Sequence, residues 1–211
     1  MSFVEEKRQV PTFLRKILAV DAYLTDVFVR TFEKSIYIKQ LKTHCKALEI
    51  SCHGVPWVAV TLCSIWLFNS KNLYQMQVNL LIGLLLDILF IAVLKALVRR
   101  RRPASNDDPF SIGPDKYSFP SGHASRVTFL IYFFMYLWPL SVIWTPPLLA
   151  WCISVCVSRL LMRRHHILDV LAGVGLGIFE GMFINYLYLS KDTCTNFVSW
   201  ITNENLNGHD I

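Results

Sequence analysis

Five long apolar segments constrain this chain more than any other feature. They cover residues 55–68, 78–98, 124–138, 143–162 and 167–189. About 20 apolar residues cross a bilayer as a helix, so we predict five membrane helices and no large water-soluble domain. The first and third segments are short for a crossing and must extend into their less apolar flanks. The expected fold class is all-α: a polytopic membrane helical bundle of five to six membrane helices with an N-terminal amphipathic helix.

The N-terminal helix is predicted over residues 13–31, where apolar residues recur at three- and four-residue spacing. Arg15, Asp26 and Arg30 fall on the opposite side. Such a helix lies in the membrane interface or packs on the membrane domain from the soluble side. The predicted organisation is an interfacial region at 1–50, a membrane-embedded domain at 51–190 and a polar tail at 191–211. The N-terminus shows no cleavable signal peptide and is expected in the cytosol.

The charge balance indicates an anionic partner. The 211 residues carry a net charge of +6, which suits a nucleic acid, a lipid surface or a phosphorylated substrate. A nucleic-acid binder would present its basic residues on an exposed face, whereas here they cap membrane helices, so we expect no nucleic acid. The six cysteines have no metal-binding spacing and are expected to be buried and unpaired.

Two polar clusters flank the loop between the second and third apolar segments. In the first, Lys95, Arg99 and Arg102 share one face at the end of a membrane helix. In the second, a Pro-Ser-Gly turn at 120–122 leads into a helix whose free backbone N–H groups attract an anion. Taken alone, these arginines could equally be interfacial anchors, and His123 could be incidental to a helix cap.

A third cluster, at 158–169, ends the fourth apolar segment. His165 and Asp169 are four residues apart, so on a helix the carboxylate can bind one ring nitrogen, although a helix-capping ion pair gives the same spacing. Two further crossings return this cluster to the face that holds the first two. So many cations in one place would repel each other without an anion, which predicts a phosphate-bearing ligand.

In order and spacing, these clusters resemble the three signatures of the type 2 phosphatidic acid phosphatase superfamily. The local sequence is most similar to its polyisoprenoid diphosphate (presqualene diphosphate) phosphatase branch. The matching residues are Lys95, then six residues and Arg102-Pro103; Pro120-Ser121-Gly122-His123; and Ser158-Arg159, five residues, His165, three residues and Asp169.

This resemblance implies a compact bundle of six membrane helices and a metal-independent lipid phosphatase. His165 would attack phosphorus to form a phosphohistidine, Asp169 would orient its ring, and His123 would serve as acid and then base. No cofactor or metal is expected, because fixed groups would hold the phosphate: Lys95, Arg102, Ser121, Gly122 and Arg159.

The clusters contain more arginines than one phosphate requires. Arg99, Arg126 and Arg164 are therefore predicted as contacts to a second phosphate, which favours isoprenoid diphosphates such as farnesyl, geranylgeranyl and presqualene diphosphate. The alternatives are that they are anchors or bind anionic head groups, and that the substrate is phosphatidate, lysophosphatidate or sphingosine phosphate. Asp87, Glu180 and Asn185 are assigned to interhelical hydrogen bonds. The remaining histidines are assigned to surface or structural places: His44, His53, His166 and His209.

Other readings share the same residues. A phosphotransferase or haloperoxidase could be built on such an anion site, and a non-catalytic lipid-binding protein could retain the pocket. The branch that the chain resembles suggests the endoplasmic reticulum or nuclear envelope. Its family places the site on the lumenal or extracellular face, whereas the positive-inside rule favours the cytosolic face. The sequence leaves this orientation and the oligomeric state open.

Overall fold

The described part of the chain is mainly helical. The computed structural model describes residues 11–35, 38–104 and 116–202. Within these residues there is no strand, and a single isolated backbone bridge joins Arg101 to Tyr117. The eight α-helices of this part are α1 Thr12–Ser35, α2 Ile38–Ser51, α3 Gly54–Phe68, α4 Tyr74–Val98, α5 Gly122–Tyr132, α6 Thr145–Leu161, α7 Ile167–Leu187 and α8 Lys191–Thr202.

All five predicted apolar segments are helical, as α3 to α7, and the all-α membrane bundle is confirmed. Within the described residues, three helices are long and apolar enough to cross a membrane by themselves, namely Tyr74–Val98, Val142–Leu161 and Ile167–Leu187. The pair Thr43–Ser51 and Gly54–Phe68, which is bent by 45°, is a fourth candidate when its two helices are counted as one span. The third apolar segment does not qualify as a crossing by its length, because α5 has 11 residues and ends in a π-helical turn at Phe133–Leu137.

The predicted N-terminal amphipathic helix is α1. Its outer side exposes large apolar groups, among them Phe13 at 75% and Tyr23 at 69%. Its inner side buries Asp21, Thr25 and Val29, which are four residues apart and so lie on one face of the helix. Two of these three buried residues are polar. The helix therefore packs on the bundle through polar contacts as well as apolar ones.

Helices α5 and α7 approach closely because α7 presents glycines to α5. Gly173, Gly177 and Gly181 are four residues apart on one face. A Cβ on Gly173 would lie 2.5 Å from the carbonyl oxygen of Ser121, and one on Gly181 would lie 2.4 Å from the ring of Tyr132. Small residues at this spacing let two membrane helices pack backbone to backbone. The contact brings the start of α5 against the start of α7.

We expect Gly177→Ala to destabilise the bundle. The added methyl would lie 2.3 Å from the carbonyl oxygen of Ser125, so the two helices would have to separate, at a cost of about 1–3 kcal/mol. The measurement is the thermal unfolding midpoint of the detergent-purified protein. Gly175→Ala is the matched control, because its Cβ would meet nothing within 4 Å. Equal midpoints for the two variants would contradict this account of the packing.

Candidate active site

The loop after α4 begins with a sharp change of direction at Arg99. This residue has a φ of 52°, and its backbone N–H donates to the carbonyl of Lys95, 3.0 Å away. The chain returns to the same place at Ser118, whose N–H donates to the carbonyl of Arg100 over 2.8 Å and whose hydroxyl donates to that of Arg101 over 3.1 Å. The arginine-rich end of α4 therefore fixes the position of Ser118.

His165 lies between α6 and α7 and is 3% exposed. Its Nδ1 is 2.7 Å from the carbonyl oxygen of Ser118. A carbonyl only accepts hydrogen bonds, so Nδ1 carries the proton and Nε2 keeps its lone pair. Burial, together with the positive charge of Arg102, lowers the pKa of His165 to about 3. The ring is therefore neutral at physiological pH and has the tautomer that a nucleophilic Nε2 requires.

Asp169 has partners other than the one predicted for it. Its carboxylate accepts hydrogen bonds from Arg100 Nη1 at 2.7 Å and from the backbone N–H of His166 at 2.8 Å. The ring of His165, which was expected to donate to Asp169, donates to the carbonyl of Ser118 instead, because Asp169 is in the first turn of α7 and caps the start of that helix. Asp169 nevertheless remains close enough for its charge to act on His165.

The Pro-Ser-Gly turn places His123 in the first turn of α5. Ser121 caps this helix by accepting a hydrogen bond from the N–H of Ala124 at 3.4 Å. Its own N–H donates to the carbonyl of Asp169 over 2.9 Å, which ties the second and third clusters together. His123 Nε2 is buried and accepts or donates no hydrogen bond among the described residues. The ring of His53 lies 6.2 Å away, centre to centre.

The predicted phosphate-binding cations lie in two different surroundings, near His165 and beside Glu49. Lys95 is 4% exposed, and both Lys95 and Arg102 are near enough to His165 for their charges to lower its pKa. Arg159 is 1% exposed, and its Nη1 is 3.1 Å from a carboxylate oxygen of Glu49 on α2. This buried ion pair compensates a guanidinium that would otherwise be costly to bury.

Two of the three arginines predicted to contact a second phosphate have other partners in the structure. Arg99 is exposed and donates from Nε to the carbonyl of Ala96, three residues earlier in its own helix. Arg126 is buried inside the bundle, where its Nη2 is 2.6 Å from Asp87 of α4. A buried guanidinium needs a carboxylate nearby, and Asp87 supplies it. Arg164 directly precedes His165, and its Nη1 is buried without a hydrogen-bond partner among the described residues.

Sequence reasoning missed several residues that hold this site. Ser118 binds the His165 ring through its main chain, so no side-chain pattern could have indicated it. Arg100 lies between the residues named for the first cluster, and it bridges Asp21 of α1 and Asp169 of α7 at 2.6 and 2.7 Å. Glu49, the partner of Arg159, lies outside the three clusters. His166, expected to be structural, is the N-cap of α7.

Comparison with known proteins identifies the family. The PAP2 superfamily matches residues 77–192, more than half of the chain and the stretch that contains all three clusters. The chain belongs to the PAP2 superfamily. A relative from Arabidopsis thaliana, described as probable lipid phosphate phosphatase beta, is 35% identical over 141 residues. The alignment covers 54% of this chain and 66% of the plant protein, slightly less than two thirds of it. No solved structure gives a significant match.

Within the described part of this PAP2 member, no group of three or more histidine, cysteine or acidic side chains could hold a metal ion. The polar groups that converge are instead two histidines and a set of cations. The site thus combines a neutral imidazole, a second imidazole with an unpartnered nitrogen, and positive charge. This combination can bind and attack a phosphorus centre.

We expect the burial of His165 to appear in the pH dependence of stability. The folded protein keeps this ring neutral down to about pH 3, whereas an unfolded histidine takes up a proton below 6.5. Between these values the unfolded state binds the extra proton, so the free energy of unfolding falls as the pH falls, by up to about 1.4 kcal/mol per pH unit.

The measurement is the unfolding midpoint of wild type and His165→Asn at about pH 7 and about pH 5. The asparagine amide can still donate to the Ser118 carbonyl but does not titrate, so the variant should lose less stability on acidification. Equal losses in the two proteins would contradict the neutral, buried state of His165.

Proposed function

We propose that this protein is an integral-membrane, metal-independent lipid phosphatase that removes the terminal phosphate of polyisoprenoid diphosphates through a phosphohistidine at His165. The observation that carries this proposal is the ring of His165. It is buried and neutral, its Nδ1 is held by Ser118, and it lies beside Lys95 and Arg102. Membership of the PAP2 superfamily supports a lipid phosphatase, as does the similarity to the plant protein described as a probable lipid phosphate phosphatase.

In the first step, Nε2 of His165 attacks the terminal phosphorus. The bond from phosphorus to the bridging oxygen breaks, and that oxygen takes a proton from His123, which gives a lipid monophosphate and a phosphohistidine. In the second step, a water molecule gives its proton to His123 and attacks the same phosphorus. The bond from phosphorus to nitrogen breaks, inorganic phosphate leaves, and both histidines regain their starting protonation.

The fixed groups around the histidines would stabilise the charge of this transition state. Lys95 and Arg102 bind the phosphate oxygens together with the helix start at Ser121 and Gly122, and Arg159 shares its guanidinium between Glu49 and the phosphate. These cations balance the developing negative charge, so the proposed reaction requires no metal or cofactor. Asp169 helps to position the site, because it binds Arg100 and caps the start of α7.

The preference for a diphosphate rests on Arg164, whose unpartnered Nη1 is available to a second phosphate. The alternative substrates are monophosphates: phosphatidate, lysophosphatidate and sphingosine phosphate. The name of the plant relative favours these, since it specifies only a lipid phosphate. A protein that binds anionic lipids without catalysis would use the same cations. On the resemblance to the polyisoprenoid branch, we propose the endoplasmic reticulum and nuclear envelope as its location.

We expect detergent-purified wild type to release phosphate from farnesyl and presqualene diphosphate in the presence of a chelator. His165→Ala should reduce this rate by about 10³-fold or more, because it removes the nucleophile. His44→Ala is the matched control, since His44 is exposed on α2. Release that survives His165→Ala, or that requires a metal, would refute the mechanism. No release from any lipid phosphate by the wild type would favour the lipid-binding alternative.

Arg164→Gln tests the choice of substrate. We expect this variant to lower the ratio of diphosphate to phosphatidate activity by about 10-fold, the worth of one charge-assisted hydrogen bond. Arg99→Gln removes an exposed arginine at the end of α4 and should leave the ratio unchanged. The ratio is obtained from kcat/KM for both substrates with each protein. A ratio that Arg164→Gln does not alter would remove the argument for a second phosphate and favour the monophosphates.

A further inference from the structure

Helix α1 contributes polar groups to the segment that carries His165. Asp21 Oδ1 accepts a hydrogen bond from the N–H of Leu168 over 3.0 Å, and Thr25 Oγ1 accepts one from the N–H of Ile167 over 3.1 Å. The first N–H groups of a helix have no acceptor within it. Side chains of α1 therefore cap α7, immediately after His165.

Asp21 also belongs to a charged bridge, which we call the Arg100 bridge and which consists of Asp21, Arg100 and Asp169. Arg100 donates from Nη2 to Asp21 at 2.6 Å and from Nη1 to Asp169 at 2.7 Å. The Arg100 side chain is 11% exposed, that of Asp21 is 3% exposed, and that of Asp169 is fully buried. Charge-assisted hydrogen bonds of this length in a buried place fix the orientation of all three groups.

The main chain of Arg100 extends this bridge to the nucleophile. The carbonyl of Arg100 accepts from the N–H of Ser118, and the carbonyl of Ser118 accepts from Nδ1 of His165 over 2.7 Å. An unbroken series of hydrogen bonds thus runs from Asp21 through Arg100 and Ser118 to His165. Asp21 itself touches neither the ring of His165 nor any predicted phosphate ligand in these contacts.

We propose that Asp21 is a positioning residue for the nucleophile, acting through the Arg100 bridge, and that α1 is a working part of the active site. Helix α1 lies outside the residues that match the PAP2 superfamily, 77–192. The inference rests on the proposed function, in which His165 attacks phosphorus. In this proposal, the N-terminal helix fixes the loop at Ser118 and the start of α7 in position relative to each other.

The test is Asp21→Asn, which removes the charge but leaves an oxygen that can accept from Leu168. We expect kcat to fall by about 10- to 100-fold, since a misplaced nucleophile reacts slowly. The inhibition constant of inorganic phosphate should change less than about 2-fold, because the phosphate-binding cations keep their places. Hydrogen exchange at the amides of residues 165–169 should become faster, which reports the loss of the bridge independently of activity.

Asp26→Asn is the matched control on the same helix. Asp26 pairs with Arg163 at 3.0 Å and Arg30 at 2.7 Å, and its side chain is 36% exposed, so it anchors α1 without reaching the bridge. We expect its kcat to stay within about 2-fold of wild type, since exposed ion pairs contribute little. An equal fall of kcat in both variants would overturn the proposal, because docking of α1 in general would then explain it. An unchanged kcat in Asp21→Asn would overturn it too.

Asp21→Glu guards against a variant that fails to fold. It keeps the charge, so it should fold and have a kcat between those of wild type and Asp21→Asn; a kcat no better than that of Asp21→Asn would overturn the role of the charge. In an Arg100→Gln background, Asp21→Asn should cause little further loss, and independent losses would also refute the bridge. If the wild type hydrolysed no lipid phosphate, the proposed function would be refuted. Hydrogen exchange of wild type and Asp21→Asn would still show whether the Arg100 bridge holds residues 165–169.

Discussion

The rest of this structure depends on one kind of interaction, the pairing of buried guanidinium groups with carboxylates. Arg100 meets Asp21 and Asp169, Arg126 meets Asp87, and Arg159 meets Glu49. The acid comes from a different element than the arginine in each case, so the pairs connect α1, α2, α4, α5, α6 and α7. A membrane bundle gains little from apolar contacts between its helices, because lipid is as apolar as their side chains. Paired charges, together with the glycine contact between α5 and α7, therefore determine which helices are neighbours and in which register.

The need of a buried cation for a nearby negative charge also explains the different roles of the basic residues. An arginine whose charge is balanced by a carboxylate serves the architecture, as Arg126 does within the bundle. The positive charges of Lys95 and Arg102 act on His165 and help to keep its ring neutral. Arg159 stands between these roles, since it is a predicted phosphate ligand that has a carboxylate beside it. Position alone therefore does not decide whether a basic residue binds substrate.

The sequence was sufficient for α1, for α3 to α7 and for the meeting of the three clusters, but it did not indicate α2 or α8. Apolar runs identify membrane helices whatever packs against them, and helix count determines which ends share a face. Pairwise contacts were harder to predict. Arg99, Arg100 and Arg126 are the same residue type, but Arg99 contacts the end of its own helix, whereas the partners of Arg100 and Arg126 lie on other helices whose rotations the sequence does not specify. The glycines at 173, 177 and 181 carried a readable pattern for close helix packing, whereas the Ser118 carbonyl carried none.

The contacts of α1 show that the boundary of the family match differs from the boundary of the region that builds the site. Residues 77–192 are what this chain shares with its family, yet Asp21 and Thr25 bind the start of α7 from well outside that range. A fragment cut to the shared region would leave the amides of Ile167 and Leu168 without these acceptors and Arg100 without one of its two carboxylates. The region that matches the family is therefore smaller than the region that completes the hydrogen bonding around His165.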